Sequence, residues 1–153
     1  EFSQNNSGGS FITDNNLCHR LLIEAATYED AIKKAKEMGV YFDGCATGQD
    51  CSCCGDRWYE PNDKKFPLAY GSFTEEEALK YGKAYNAKIA PSKSKNQYGN
   101  RKYDVIFETP ESYMQYVADF YGWTNPDGRI FYLDGNIKEI ESHKDKAKVI
   151  RGY

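Results

Sequence analysis

The segment Cys45-Ala-Thr-Gly-Gln-Asp-Cys-Ser-Cys-Cys-Gly-Asp-Arg-Trp58 restricts what this chain can become more than any other stretch. It holds four of the five cysteines within fourteen residues. Cys51-x-x-Cys54 followed by Gly55 has the shape of a metal knuckle. Two thiolates three positions apart can grip one Zn²⁺, and the glycine relieves the turn that points backbone N–H groups at the sulfurs. A full tetrahedral site needs four ligands. Cys45 is near enough to be a third, and Cys18, His19, Cys53 or His143 supplies candidates for the fourth. No second C-x-x-C pair exists, so the pattern is not that of a standard zinc ribbon. Three readings of the thiols stand side by side: small buried hydrophobes, a bound zinc replacing core that an irregular segment lacks, or redox and nucleophilic chemistry. The third wants a histidine base, and His19 and His143 sit in no recognisable motif.

Around this segment the periodicities predict an α+β fold: a mostly antiparallel sheet with about three helices packed on it, the cysteine turn following a first β-helix-β unit. Leu17 to Ala25 reads as a strand, with Leu21, Leu22 and Ile23 its buried run. Thr27 and Asp30 cap a helix whose inner face is Ala31, Ile32, Ala35 and Met38, and Gly39 occupies the position of a C-terminal cap. Val40 to Phe42 reads as the second strand, and Trp58-Tyr59 as a short strand leaving the turn. Thr74 and Glu77 form a capping box for a helix to about Asn86, buried through Ala78, Tyr81, Gly82 and Tyr85. Gly82 inside it either weakens the helix or marks a close approach. Residues 90–102 read as a polar, mobile loop. Tyr103 to Glu108 is a strand. Thr109-Pro110 starts a helix with a stripe of Tyr113, Tyr116, Val117, Phe120 and Tyr121, ended by Gly122. Arg129–Leu133 and Ile137–Glu141 pair across Asp134-Gly135-Asn136, and a charged tail begins near Ser142. Residues 1–12 are expected to be disordered and 13–153 to form one domain.

Composition narrows the class. The 153 residues include 13 tyrosines and 8 phenylalanines, so tyrosine must either fill core volume with its hydroxyl satisfied or present ring faces to a ligand. A net charge of −3 does not suggest a general nucleic-acid binder. No apolar run is long enough for a membrane span, and no secretory leader is evident. An odd cysteine count in such a chain points to a reducing cytosol rather than a disulfide scaffold.

Two further groups are candidate ligand contacts. Arg57 beside Trp58 reads either as a turn residue stacked on its neighbour or as an anion-binding fork next to an aromatic plate. Lys93, Lys95, Arg101 and Lys102 carry positive charge with no acid among them, and Tyr98 offers a stacking face. Four cations suit a small phosphorylated ligand better than a polymer. Motifs for a phosphate loop, a serine nucleophile or a zinc protease are absent.

Asp43-Gly44 after Gly39-Val40-Tyr41-Phe42, then Asp50-Cys-Ser-Cys-Cys-Gly-Asp-Arg-Trp58, resembles a signature of small tailed-bacteriophage proteins. The likeness spans about residues 21–60. It implies a phage-encoded protein working in the cytoplasm of the bacterial host, and assigns no catalytic residue. The expected function is that of a non-enzymatic accessory protein binding a host component, either a defence protein or a nucleotide-type signalling ligand. The alternatives are a zinc-knuckle protein touching nucleic acid and a small thiol-dependent enzyme.

Overall fold

The computed structural model describes residues 1–121 and 123–143. Its elements run β1 (Phe2–Ser3), β2 (Arg20–Ile23), α1 (Tyr28–Met38), α2 (Gly44–Thr47), β3 (Leu68–Phe73), α3 (Glu75–Ala84), β4 (Lys88–Lys95), β5 (Arg101–Phe107), α4 (Pro110–Tyr121), β6 (Gly128–Phe131) and β7 (Ile137–Ile140). The fold is α+β, with two mostly antiparallel sheets. Among the described residues no helix is long and apolar enough to cross a membrane. The chain divides into two compact units where one domain is expected. The division falls at Asp63/Lys64, at Phe120/Tyr121 and at Ser142/His143.

The first unit comprises Glu1–Asp63 and Tyr121–Ser142. Its sheet has the order β1-β2-β6-β7. β2 and β6 run parallel, with Leu22 opposite Ile130, and the outer pairs are antiparallel. Parallel neighbours cannot be joined by a tight turn, and here 104 residues separate Ile23 from Gly128 in sequence, counting positions 24–127. α1 begins as predicted: Thr27 Oγ1 accepts from the Asp30 amide at 3.1 Å. It ends at Gly39, whose φ of 115° no side chain tolerates well. Phe2, Leu17, Leu21, Ala35, Val40, Trp58 and Phe131 form the core, with Ala31, Ile32 and Met38 half-buried against it.

Three expectations are corrected in this unit. Residues 1–12 are ordered: β1 pairs with β2, and Phe2 is buried. The Gln4 amide accounts for much of this. It donates to the carbonyls of Ile12 (2.8 Å) and Cys18 (2.7 Å) and accepts from the Ile12 amide (2.8 Å), replacing water for a segment poor in apolar side chains. Val40–Phe42 is not a strand, because the Val40 amide turns back to the Ala35 carbonyl at 3.0 Å to close the helix cap. Trp58 makes a single bridge to Gln4 rather than a strand.

The second unit comprises Lys64–Phe120 with His143 among the described residues. Its antiparallel sheet has the order β3-β5-β4. The Thr74–Glu77 capping box opens α3. The core is aromatic. Tyr116 lies 5.4–5.7 Å from the rings of Tyr70, Tyr81, Tyr85 and Phe107, and Phe73 meets Tyr81 edge-on at 4.9 Å. Such tilted and edge contacts suit the ring quadrupoles. The Tyr85 hydroxyl, buried with them, donates to Asp119 Oδ2 at 2.7 Å. Residues 90–102, expected to be a mobile loop, are instead the arms of the β4–β5 hairpin: Ala90 faces Asp104 and Lys95 faces Arg101. Only residues 96–100 turn, and the Asn96 side chain accepts from the Tyr98 and Asn100 amides, each at 2.9 Å. The helix end at Gly122 and most of the charged tail lie outside the described residues.

Candidate functional site

The cysteine segment is built on a small polar core. Asp43 enters with φ 58° and Gly48 leaves α2 with φ 81°, so the four-residue helix is bounded by two left-handed positions. The Asp50 amide donates to the Gly44 carbonyl at 2.9 Å, folding the segment back on itself. A Cβ on Gly44 would sit 1.8 Å from Asp50 Oδ2, so only glycine admits this carboxylate. Asp50, whose side chain is wholly buried, accepts from Tyr41 Oη (2.7 Å) and the Arg57 amide (2.8 Å), with Arg57 Nε 3.7 Å away. The Arg57 guanidinium then donates to Tyr41 Oη (3.1 Å), the Ser10 carbonyl (2.7 Å) and the Ser7 carbonyl (3.0 Å). Burial and the neighbouring Asp50 hold the Tyr41 hydroxyl above the usual phenol range. Asp56 accepts from the Cys45 amide at 2.9 Å, and these hydrogen bonds from Cys45 keep its carboxyl below the ordinary value. Asn5 Nδ2 fastens the far side, donating to the Cys54 carbonyl at 2.6 Å.

On this base stand three exposed thiols. The sulfurs of Cys51, Cys53 and Cys54 all lie within 4.8 Å of one another. Cys53 and Cys54 Sγ are 3.5 Å apart, and the Cys54 amide donates to the Cys51 carbonyl at 3.2 Å. Zn–S bonds of ~2.3 Å place two tetrahedral thiolates about 3.8 Å apart, so the cluster needs only a small adjustment to hold one metal ion. Hydrogen bonds from the Cys53 side chain and amide lower the Cys51 thiol below its ordinary value. The same partnership pushes Cys53 up to about 11, with Cys54 adding to it. A thiol made more acidic by its neighbours, beside two further sulfurs, is an arrangement from which a metal can displace the protons.

Cys45, expected as a ligand, stands outside the cluster: its Sγ faces the Cys51 carbonyl at 3.5 Å. Loss of solvent and the Asp56 carboxylate push its thiol up to about 11. Its place is taken by Cys53. Cys18 is buried and donates to the Arg20 carbonyl at 3.3 Å, burial raising it to about 11. His19 is buried against Phe11, its ring 4.8 Å away. His143 belongs to the second unit, with Nδ1 3.7 Å from Asp119. Among the described residues no histidine pairs with a thiol.

The expectation that Arg57 and Trp58 contact a ligand is corrected. The three donating nitrogens of Arg57 are taken by backbone carbonyls and Tyr41, and Trp58 is 2 % exposed inside the core. Both hold the turn. Lys93, Lys95, Tyr98, Arg101 and Lys102 share one hairpin in the second unit, with Tyr98 79 % exposed at its tip. They are a solvated edge, separate in the chain's division from the thiols. Asp50 and Tyr41 are the hub of the network; both stand in the Gly39–Trp58 stretch, where neither spacing nor composition singles them out.

Comparisons with curated proteins and with solved structures return no match. A family model described as a domain of unknown function, DUF7296, matches residues 1–149, and the chain belongs to that family.

Proposed function

We propose that the protein is a non-enzymatic accessory protein whose cysteine turn carries one zinc ion and which binds a component of a bacterial host during phage infection. The gathering of three exposed sulfurs on a turn anchored by Asp50 and Arg57 carries this reading. Thiolates of Cys51, Cys53 and Cys54 would hold the ion, leaving a fourth tetrahedral position open to water or to a side chain of the bound component. Nucleophilic chemistry is less well supported, because no thiol is paired with a base among the described residues. The host setting rests on the resemblance of the Asp50–Trp58 motif to phage proteins.

Protein purified without chelator should contain close to one zinc per chain by elemental analysis, and Cys53→Ser should lower that content sharply while Cys45→Ser leaves it unchanged. Absence of zinc, together with melts indifferent to added metal, would leave the thiols without this role. For the binding role, protein incubated with bacterial extract and recovered under native conditions should retain a defined component absent from a control protein. Retention of nothing at native salt would sink it.

A further inference from the structure

A concavity that Asn5 also lines lies in the first unit. It has a volume of about 260 Å³ and is lined by Phe11, His19, Arg20, Tyr59, Tyr121 and Trp123, with Asn5 among its polar residues. Two walls are large rings held out in solvent: Trp123 is 67 % exposed and Tyr59 53 %. Exposed aromatic faces beside polar atoms are the usual lining of a ligand pocket. Arg20 lies with its guanidinium 5.0 Å over the Tyr121 ring. Its guanidinium donates one long bond, Nη1 to Glu1 Oε2 at 3.4 Å, and its buried Nε has no partner among the described residues. A largely buried guanidinium with five N–H donors is poorly satisfied by that single acceptor. His19 is 5 % exposed, and its Nδ1 also lacks a partner. Burial first, then the charge of Arg20, lowers its pKa to about 4, so the imidazole is neutral near pH 7 and Arg20 supplies the charge.

We infer that this pocket binds a single nucleotide, its base against the exposed faces of Trp123 and Tyr59 and its phosphate at Arg20. Aromatic side chains stack on any base, and a guanidinium matches phosphate geometry. At about 260 Å³, just under the ~300–1,000 Å³ of drug-sized sites, the concavity has the scale of a single small ligand. The net charge of −3 disfavours a polyanion. The inference names a ligand for the binding role proposed above. It is read independently of zinc content, so either can fail alone.

The full chain is titrated with AMP, GMP, CMP and UMP by calorimetry and by tryptophan fluorescence, with adenosine, inorganic phosphate and indole as controls. At least one monophosphate should bind with 1:1 stoichiometry and shield Trp123 from acrylamide quenching. Trp123→Ala, at an exposed position that folding tolerates, should weaken it at least tenfold, as should Tyr59→Ala. Arg20→Gln should abolish the preference for nucleotide over nucleoside; where it fails to fold, Arg20→Lys, which keeps the charge and loses the planar fork, should narrow that preference and leave nucleoside binding unchanged. No saturable binding by any of the four at millimolar concentration would overturn the inference. So would phosphate or indole binding as tightly as the nucleotide, or an unchanged affinity in the Trp123 variant.

Discussion

Asp50 shows how one side chain can set a whole segment. Its carboxylate satisfies Tyr41, the Arg57 amide and the Arg57 charge from a wholly buried position. Removing it leaves a guanidinium 12 % exposed without its counter-charge. Asp50→Ala should therefore cost about 3–5 kcal/mol, the penalty for stranding one member of a buried pair. Tyr41→Phe, which removes one hydroxyl, should cost ~1 kcal/mol. Urea unfolding of both variants checks the order; equal costs would show that Tyr41, not the ion pair, holds the turn. His19 supplies a second test at this scale. Unfolded, its imidazole takes a proton near the ordinary 6.5; folded, only at about 4. Between those values the unfolded state binds more protons, so this group's contribution is intact above pH 6.5 and is lost as pH falls towards 4. The loss should reach ~3 kcal/mol at most. His19→Gln should flatten the stability profile over that window, after the acid loss from carboxylates such as Asp56 is subtracted as measured in the same series.

At the level of elements, helix α3 carries a decisive glycine. An alanine at an open helix position ordinarily gains ~1 kcal/mol over glycine. At Gly82 the added Cβ would meet the Ala87 carbonyl at 2.9 Å and Ile89 Cγ2 at 3.1 Å. Gly82→Ala should thus destabilise, by about 1–3 kcal/mol as overpacking does; a raised melting temperature would contradict the packing. Helices α1, α3 and α4 were legible because their signals are local: Thr27 with Asp30, Thr74 with Glu77, and Tyr113, Tyr116 and Val117 on one face, whereas the four-residue α2 was not foreseen. The strands were less so. β4, with the sequence Lys-Ile-Ala-Pro-Ser-Lys-Ser-Lys, is a polar strand completed by pairing with β5, and no periodicity in β4 itself announces a partner. β1 is two residues long and is fixed by Gln4, seen only when Ile12 and Cys18 come near it. In the site, the thiol cluster was legible from spacing, but the exchange of Cys45 for Cys53 was not. It depends on Asp43 and Gly48 bending the chain through left-handed conformations. Amide exchange should find the Val105 amide, in the central strand of its sheet, protected in the free protein and that of Gln97, at the exposed turn, open. Uniform exposure across 90–102 would restore the loop.

For the molecule as a whole, the two units solve the shortage of aliphatic residues differently. The second buries tyrosine rings and gives their hydroxyls partners such as Asp119. The first buries a polar network beneath the cysteine turn and leaves three thiols in solvent. A metal adds there the cross-links that irregular backbone lacks. Thiol chemistry tests this over the entire chain, since all five cysteines are free. In metal-free protein near pH 7.5, Cys51 should react first with a thiol reagent, because Cys53 stabilises its thiolate. Cys18, buried and held at about 11, should react last and only on unfolding. Stoichiometric zinc should suppress labelling of Cys51, Cys53 and Cys54 together while leaving Cys45 and Cys18 as they were, and should raise the melting temperature. The protection should weaken as pH falls, since each proton that zinc displaces costs a factor of about ten in affinity per pH unit. Mass spectrometry of labelled peptides reads every site at once. Zinc that protects Cys45 in place of Cys53 would move the centre back towards the spacing seen in the sequence, whereas labelling unaffected by zinc would remove it.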